Sequence, residues 1–206
     1  MNDEKYPIIH IGRHRIDSDG EGVRTLILVE GCLLRCKYCI NPFTWDGTVE
    51  AEELTAMEIY DRIKIDRPYI LATNGGITFG GGEPLLYPKL INSMRDVCDK
   101  DMTIYVETSL NVPWENIKMI SNNVDRFYVD IKSMNPTIYK KYTGRELFQA
   151  KKNLEKLIKI KGRDSVVVRV PEIPEFANKN DQMESKQLLQ ELGIEGIDLF
   201  KYRRVL

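Results

Sequence analysis

The chain lacks several features that would have fixed its class at once. No stretch approaches the roughly 20 apolar residues that span a bilayer, and the N-terminal MNDEKYPIIH has no basic segment followed by an apolar run. This excludes a membrane role in our reading and predicts a cytoplasmic protein. The 30 Lys and Arg stand against 31 Asp and Glu, so no net field draws the chain to nucleic acid or to an acidic membrane surface. Histidine is limited to His10 and His14, and cysteine to four residues. We find no internal repeat, low-complexity tract or linker. With 206 residues, 42 % apolar and 30 % charged, the chain reads as one domain spanning 1–206.

What is present is an alternation. The runs RTLILVE (24–30), GITFG (76–80), TIYVET (103–108), RFYVDIK (126–132), SVVVRV (165–170) and GIDLFKY (196–202) are short and rich in β-branched and aromatic residues, which predicts six strands. Helical spacing lies between them. It is clearest in ELFQAKKNLEKLIKIKG, where Leu147, Ala150, Leu154, Leu157, Ile158 and Lys161 form a stripe ending before Gly162. Asn135-Pro136 and Val112-Pro113 mark further helix starts, since proline suits the first turn. Strands that alternate with helices imply parallel pairing through right-handed crossovers, as an open sheet or a barrel. Chemistry in such folds gathers at the C-terminal strand ends. The unusual residues of this sequence fall there: the cysteine loop, GGGEP, ETS, DIK and RVPEIPE.

The cysteine loop, GCLLRCKYCIN, places Cys32, Cys36 and Cys39 within eight residues and supplies no fourth nearby. Such crowding in a reducing compartment favours a metal or redox site over disulfides. Structural zinc wants four protein ligands, and the histidines lie upstream without the spacing of a zinc knuckle. Three thiolates on a cubic iron-sulfur cluster instead leave one iron for a ligand from outside the protein. Cys98, in MRDVCDK, reads as an ordinary small thiol, and Trp45 as a packing residue below the loop.

The spacing C-x3-C-x-aromatic-C, with Tyr38 as the aromatic residue, resembles the signature of the radical S-adenosylmethionine superfamily. The surrounding DGEGVRTLILVEGCLLRCKYCINPFTWD, together with GGITFGGGEP, YVETS, FYVDIKSMN and VRVPEIP in that order, is similar to the activating enzymes of glycyl radical enzymes. The resemblance implies an α/β fold, a partial (β/α)6 TIM-like barrel of parallel strands. It further implies a 4Fe-4S cluster on Cys32, Cys36 and Cys39, with S-adenosylmethionine chelating the fourth iron and cleaved reductively to a deoxyadenosyl radical. That radical would take a hydrogen atom from a glycine of a partner glycyl radical enzyme. The electron would come from flavodoxin or ferredoxin, since Cys98 alone cannot furnish a second cluster.

By the same resemblance Tyr38, Gly81, Gly82 and Glu83 belong to cofactor binding, the glycine block meeting the methionyl ammonium. Lys132 would meet the cofactor carboxylate and Asp130 its ribose or a monovalent cation. Glu107 and Thr108 stand where the family has Asp-Thr, the other half of the cation site. Arg169 falls where activating enzymes carry a carboxylate-binding arginine, although alternation in SVVVRV lets it face solvent equally well. Asp19-Gly20-Glu21-Gly22 departs from the Asp-Gly-Pro-Gly of activating enzymes and is closer to carboxydeazaguanine synthases. Ile40, Gly80 and Ser109 also depart, and the chain stops at Leu206, which leaves Tyr202 and Arg203 to complete the adenine pocket. A radical enzyme acting on a small heterocycle or a ribosomal peptide is therefore the second reading, and a zinc-stabilised interaction module the third.

Overall fold

A computed structural model describes residues 3–16 and 18–202. They fall into two compact units, each drawn from several segments: 1–32, 41–107 and 115–126 form one, and 33–40, 108–114 and 127–206 the other.

In the first unit the strands are β1 (Tyr6–Ile16), β2 (Val23–Val29), β3 (Glu52–Leu54), β4 (Gly76–Gly81) and β5 (Thr103–Thr108). Their lateral order is β3-β1-β2-β4-β5. β2, β4 and β5 are parallel, whereas β1 runs antiparallel to both β2 and β3. The helices are α1 (Ala56–Ile63), α2 (Arg67–Ala72), α3 (Pro88–Val97) and α4 (Trp114–Ile120). Ile27, Val29, Ile77, Phe79, Ile104 and Val106 alternate along the parallel strands and are fully buried, as are Ile59, Ile63, Leu90, Ile91 and Met94 of the helices. A strand covered on both faces has no polar side to show, which is why GITFG reads as an almost continuous apolar run.

The other face of β2 is also closed, but one buried charge lies on it. Arg24 is fully buried on β2. Its guanidinium donates to Thr78 Oγ1 at 2.7 Å, Thr103 Oγ1 at 2.9 Å and the Ile77 carbonyl at 2.8 Å, and lies 3.6 Å from the centre of the Tyr105 ring. A buried charge requires this many partners.

β1 and β3 are absent from the sequence expectation. The outer half of β1, GRHRI, is mostly exposed and its register against β2 shifts twice, so no apolar period announces it. β3 has three residues, two of them glutamates. His14 lies on β1 and its Nε2 is 2.6 Å from Asp66 Oδ1, at the end of β2 away from Cys32. That histidine is already engaged and is no fourth ligand.

The second unit contains parallel β6 (Arg126–Asp130), β7 (Val166–Glu172) and β8 (Ile197–Lys201), with α5 (Pro136–Thr143), α6 (Leu147–Lys161) and α7 (Lys179–Glu191). Helix α5 starts where Asn135-Pro136 predicts: the Asn135 side chain accepts from Thr137 N and Ile138 N, and Gly144 closes the helix at φ +74°. α6 buries Leu147, Ala150, Leu154 and Leu157 as expected, and also Asn153. The Asn153 amide donates to the carbonyls of Leu110 and Val112. Lys132, expected on a strand, lies two residues past the end of β6.

Candidate functional site

Each unit contributes its own set of predicted residues. In the first, the glycine block ends β4 directly beside the start of the cysteine loop. Gly82 N donates to the Val29 carbonyl at 3.2 Å and Glu83 N to the Gly31 carbonyl at 2.7 Å. A Cβ at Gly82 would stand 2.0 Å from that Gly31 oxygen, and Gly81 adopts φ +93°. Only glycine allows this approach, and it fixes the residue preceding Cys32. Glu83 is buried, and its Oε1 accepts from Leu85 N at 3.3 Å, capping a turn of 3-10 helix at 84–86. Glu107 is half-buried on β5, its Oε2 3.3 Å from where a Cβ on Gly80 would be. The Asp-Gly-Glu-Gly turn is tied down through Asp19, whose carboxylate accepts from Arg15 Nε at 2.6 Å and whose carbonyl accepts from Thr78 Oγ1 at 2.8 Å. Glu21 is exposed and pairs with Arg126 at 2.7 Å.

The second unit holds Cys36, Tyr38 and Cys39 on a loop anchored to the end of α5. The last carbonyls of a helix have no partner within it. Here Thr143 O accepts from Arg35 N at 2.8 Å and Tyr142 O from Lys37 N at 3.1 Å. Arg145 Nε adds a bond to the Leu33 carbonyl at 2.9 Å. Behind the loop, Tyr38 and the buried Tyr142 pack edge-on with Phe176. Tyr38 donates its hydroxyl to Glu175 Oε2 at 2.5 Å, and the Tyr202 hydroxyl donates to the Tyr38 carbonyl. Tyr202 thus reaches the cysteine loop; Arg203 lies outside the described residues. Thr108 is buried, and its Oγ1 accepts from Leu110 N at 2.9 Å, bracing the end of β5.

Charge is arranged around Asp130. Its Oδ2 accepts from Lys132 Nζ at 2.9 Å and its Oδ1 from Arg169 Nε at 2.7 Å. Arg169 therefore turns toward Asp130, and of the two orientations open to SVVVRV the inward one is adopted. Burial would raise the Asp130 carboxyl, but Lys132 and Arg169 outweigh it and hold the group well below the ordinary carboxylate range. Burial likewise works against the Lys132 ammonium, and Asp130, with a smaller part from Cys36, holds its proton affinity above normal. The Cys36 thiol is pushed up to about 11, chiefly by burial, against the pull of Lys132. Two cations thus meet over the Asp130 carboxylate.

None of the four cysteines is part of a disulfide. Among the described residues no three His, Cys, Asp or Glu side chains converge on one point as a single ion requires. A cubane cluster asks for something else, because each thiolate binds a different iron. Thiols at the predicted spacing, with Lys132 and Arg169 beside Cys36 to suit an anionic cofactor group, fit a cluster with a chelating carboxylate ligand. Cys98 is buried at the end of α3, with Sγ 3.0 Å from Arg95 Nη2, an ordinary core thiol.

The sequence pattern of the radical SAM superfamily matches residues 26–177. The chain belongs to that superfamily. Within it, the likeness is to the enzymes that activate glycyl radical enzymes. A pyruvate formate-lyase-activating enzyme of Clostridium pasteurianum is 35 % identical over 136 residues, 64 % of this chain and 57 % of that relative. The (2S)-3-sulfopropanediol dehydratase activating enzyme of Klebsiella oxytoca is 28 % identical over 96 % of this chain and 82 % of its own length. The Staphylococcus epidermidis pyruvate formate-lyase-activating enzyme is 29 % identical over 93 % and 81 %. Streptococcus suis SuiB bound to S-adenosylmethionine shares the fold at TM-score 0.64 and 13 % identity, covering 85 % of this chain and 39 % of SuiB. A radical SAM methyltransferase of Sphaerobacter thermophilus does so at 0.55 and 15 %, over 96 % and 78 %. The fold is thus the expected partial TIM-like barrel, α/β with mostly parallel strands, and the superfamily implies a 4Fe-4S cluster and S-adenosylmethionine.

Sequence reasoning missed Tyr142, Phe176 and Glu175, which support Tyr38, and the role of Arg24. An arginine at the head of the strand run RTLILVE was the one local signal of a buried polar network on that strand face.

Proposed function

We propose that this chain, working as a single domain in the cytoplasm, generates a glycyl radical on a partner glycyl radical enzyme. Cys32, Cys36 and Cys39 hold the cluster, and the cluster with its bound cofactor supplies one-electron cleavage of the sulfonium carbon-sulfur bond. The reading rests on one observation above the others: Lys132 and Arg169 share a single carboxylate, Asp130, beside Cys36. Two cations gathered next to a thiol ligand suit the methionyl carboxylate. Asp130 orients both cations. The backbone of Gly81 and Gly82, with Glu83, receives the methionyl ammonium. Tyr38 flanks the cofactor from the cysteine loop. A monovalent cation remains part of the proposal through Glu107 and Thr108, whereas Asp130 already has its charge met. Flavodoxin or ferredoxin is the electron source.

The test is anaerobic reconstitution with iron and sulfide, reduction, and incubation with S-adenosylmethionine and a glycyl radical enzyme. We expect deoxyadenosine together with a doublet in the partner's electron paramagnetic resonance spectrum. Deoxyadenosine formed on a small heterocycle, with no doublet on any glycyl radical enzyme, would move the chain to the second reading.

A further inference from the structure

Tyr38 directly precedes Cys39, and the second unit holds it at three places. The Tyr202 hydroxyl donates to its carbonyl. Tyr142 and Phe176 meet its ring edge-on, with ring centres 6.2 and 5.6 Å away. Glu175 Oε2 accepts from its hydroxyl at 2.5 Å. Glu175 and Phe176 belong to one tight turn. Ile173 N donates to the Ala177 carbonyl at 2.7 Å, and the Ile173 carbonyl accepts from Phe176 N at 3.1 Å and from Ala177 N at 2.9 Å. Ile173 and Ala177 are buried with Tyr142, and Cys36 and Tyr38 pack against that cluster. The turn and Tyr142 together therefore form the wall behind Cys36 and Tyr38.

One residue of that turn goes against local preference. Pro174 is second in residues 173–176 and Glu175 third, and Glu175 adopts φ +68°. Proline followed by a left-handed residue is the pattern of a type II turn, whose third position favours glycine or asparagine because other L side chains are strained there. Glycine would suit this backbone better and would supply no acceptor. Strain of this kind persists where the surroundings hold the residue in place, and it clusters at functional sites. Here the strained residue sends its carboxylate to the cysteine loop. We infer that Glu175 is a positioning residue for the cluster ligands. By holding the Tyr38 hydroxyl it fixes the stretch from Cys36 to Cys39, in which Cys39 N donates to the Cys36 carbonyl at 3.2 Å. The spacing of the two thiols is thereby set before iron arrives. The inference rests on the cluster reading of the cysteines and adds to it a residue far from the loop in sequence, which acts through Tyr38 and touches neither iron nor cofactor.

The test is a double-mutant cycle read in two ways. Amide hydrogen exchange at Cys39 is followed on the full chain before reconstitution, and loss of iron to a chelator on the reconstituted protein. The proteins are wild type, Glu175→Gly, Tyr38→Phe, the double variant and Glu175→Gln. We expect Glu175→Gly and Tyr38→Phe each to speed exchange and iron loss about fivefold, the net effect of one hydrogen bond. The double variant should go no further than either alone, because both changes remove the same contact. Glu175→Gln keeps an acceptor in the same place and should stay within about twofold of wild type. Glu175→Gly also relieves the left-handed backbone, so it should melt with wild type although its loop is looser. Effects that multiply in the double variant overturn the inference, as do wild-type rates in both single variants. So does a melting temperature of Glu175→Gly that falls in step with the faster exchange, since that would mark general loosening of the unit. Wild type that takes up no iron and sulfide would instead sink the cluster reading, and the two failures are distinguishable because the exchange cycle needs no metal.

Discussion

At the scale of single residues, the account makes Lys132 a binding group and not a cluster ligand. Its ammonium donates to Asp130 and acts on Cys36 through space. Lys132→Ala should therefore leave iron and sulfide loading unchanged while weakening S-adenosylmethionine binding by about 2 kcal/mol, roughly thirtyfold, the worth of a hydrogen bond to a charged group. Isothermal titration of the anaerobic holoenzyme checks this, and equal affinity would remove Lys132 from the pocket. Gly82 is constrained sterically. With a Cβ position 2.0 Å from the Gly31 carbonyl, Gly82→Ala must push β4 away from the residue before Cys32. It should cost about 2–3 kcal/mol by the usual scale of overpacking and lower cluster occupancy. A melting temperature and iron content equal to wild type would show that the approach is not obligatory. Both residues were legible in the sequence as members of GGGEP and DIK. What the sequence left open was the direction of Arg169, because a strand with two similar faces does not say which is inward.

At the scale of elements, the cysteine loop depends on α5. Its C-terminal carbonyls accept from Arg35 and Lys37, so fraying of the helix should free the loop. Asn135 caps the start of that helix with two backbone bonds. Asn135→Ala should destabilise it by about 1 kcal/mol and speed loss of iron to a chelator; chelation kinetics identical to wild type would separate loop from helix. β1 makes a contrasting case. It is held through Asp66, whose carboxylate accepts from Arg13 at 2.5 and 2.6 Å and meets His14 at 2.6 Å. Arg13 bonding, opposed by burial and aided by His14, holds the Asp66 pKa below normal. A depressed carboxylate contributes stability that is complete above its unfolded pKa of about 3.9 and is lost as pH falls through the folded value. Wild type should exceed Asp66→Asn by about 1–2 kcal/mol at neutral pH, with the gap closing below about pH 4. A gap independent of pH in denaturant titrations would contradict it. The helix signal Asn135-Pro136 was readable because capping chemistry is local. β1 was not, since an antiparallel strand secured by a distant aspartate, with exposed basic residues along its outer half, has no period to read.

At the scale of the molecule, the parallel strands β2, β4 and β5 of one unit and β6, β7 and β8 of the other, with the residues at their C-terminal ends, were visible because short runs rich in β-branched and aromatic residues have a distinct composition. The supports behind the site were not visible. Tyr142, Phe176 and Tyr202 meet the cysteine loop from 100 residues or more away in sequence, and nothing local marks such partners. No helix among the described residues is long and apolar enough to cross a membrane. The near-neutral net charge, read from composition as an argument against polyanion binding, does not show that Arg35, Lys37, Lys140, Lys141 and Arg145 are all exposed on the cysteine loop and the end of α5; totals carry no information about placement.

The most direct measurement is the electron paramagnetic resonance spectrum of the anaerobically reconstituted, reduced protein with and without S-adenosylmethionine. The account predicts a 4Fe-4S signal that changes shape when the cofactor is added and that is absent from Cys36→Ala. A cluster signal indifferent to the cofactor, or protein that takes up zinc in place of iron and sulfide, would contradict it.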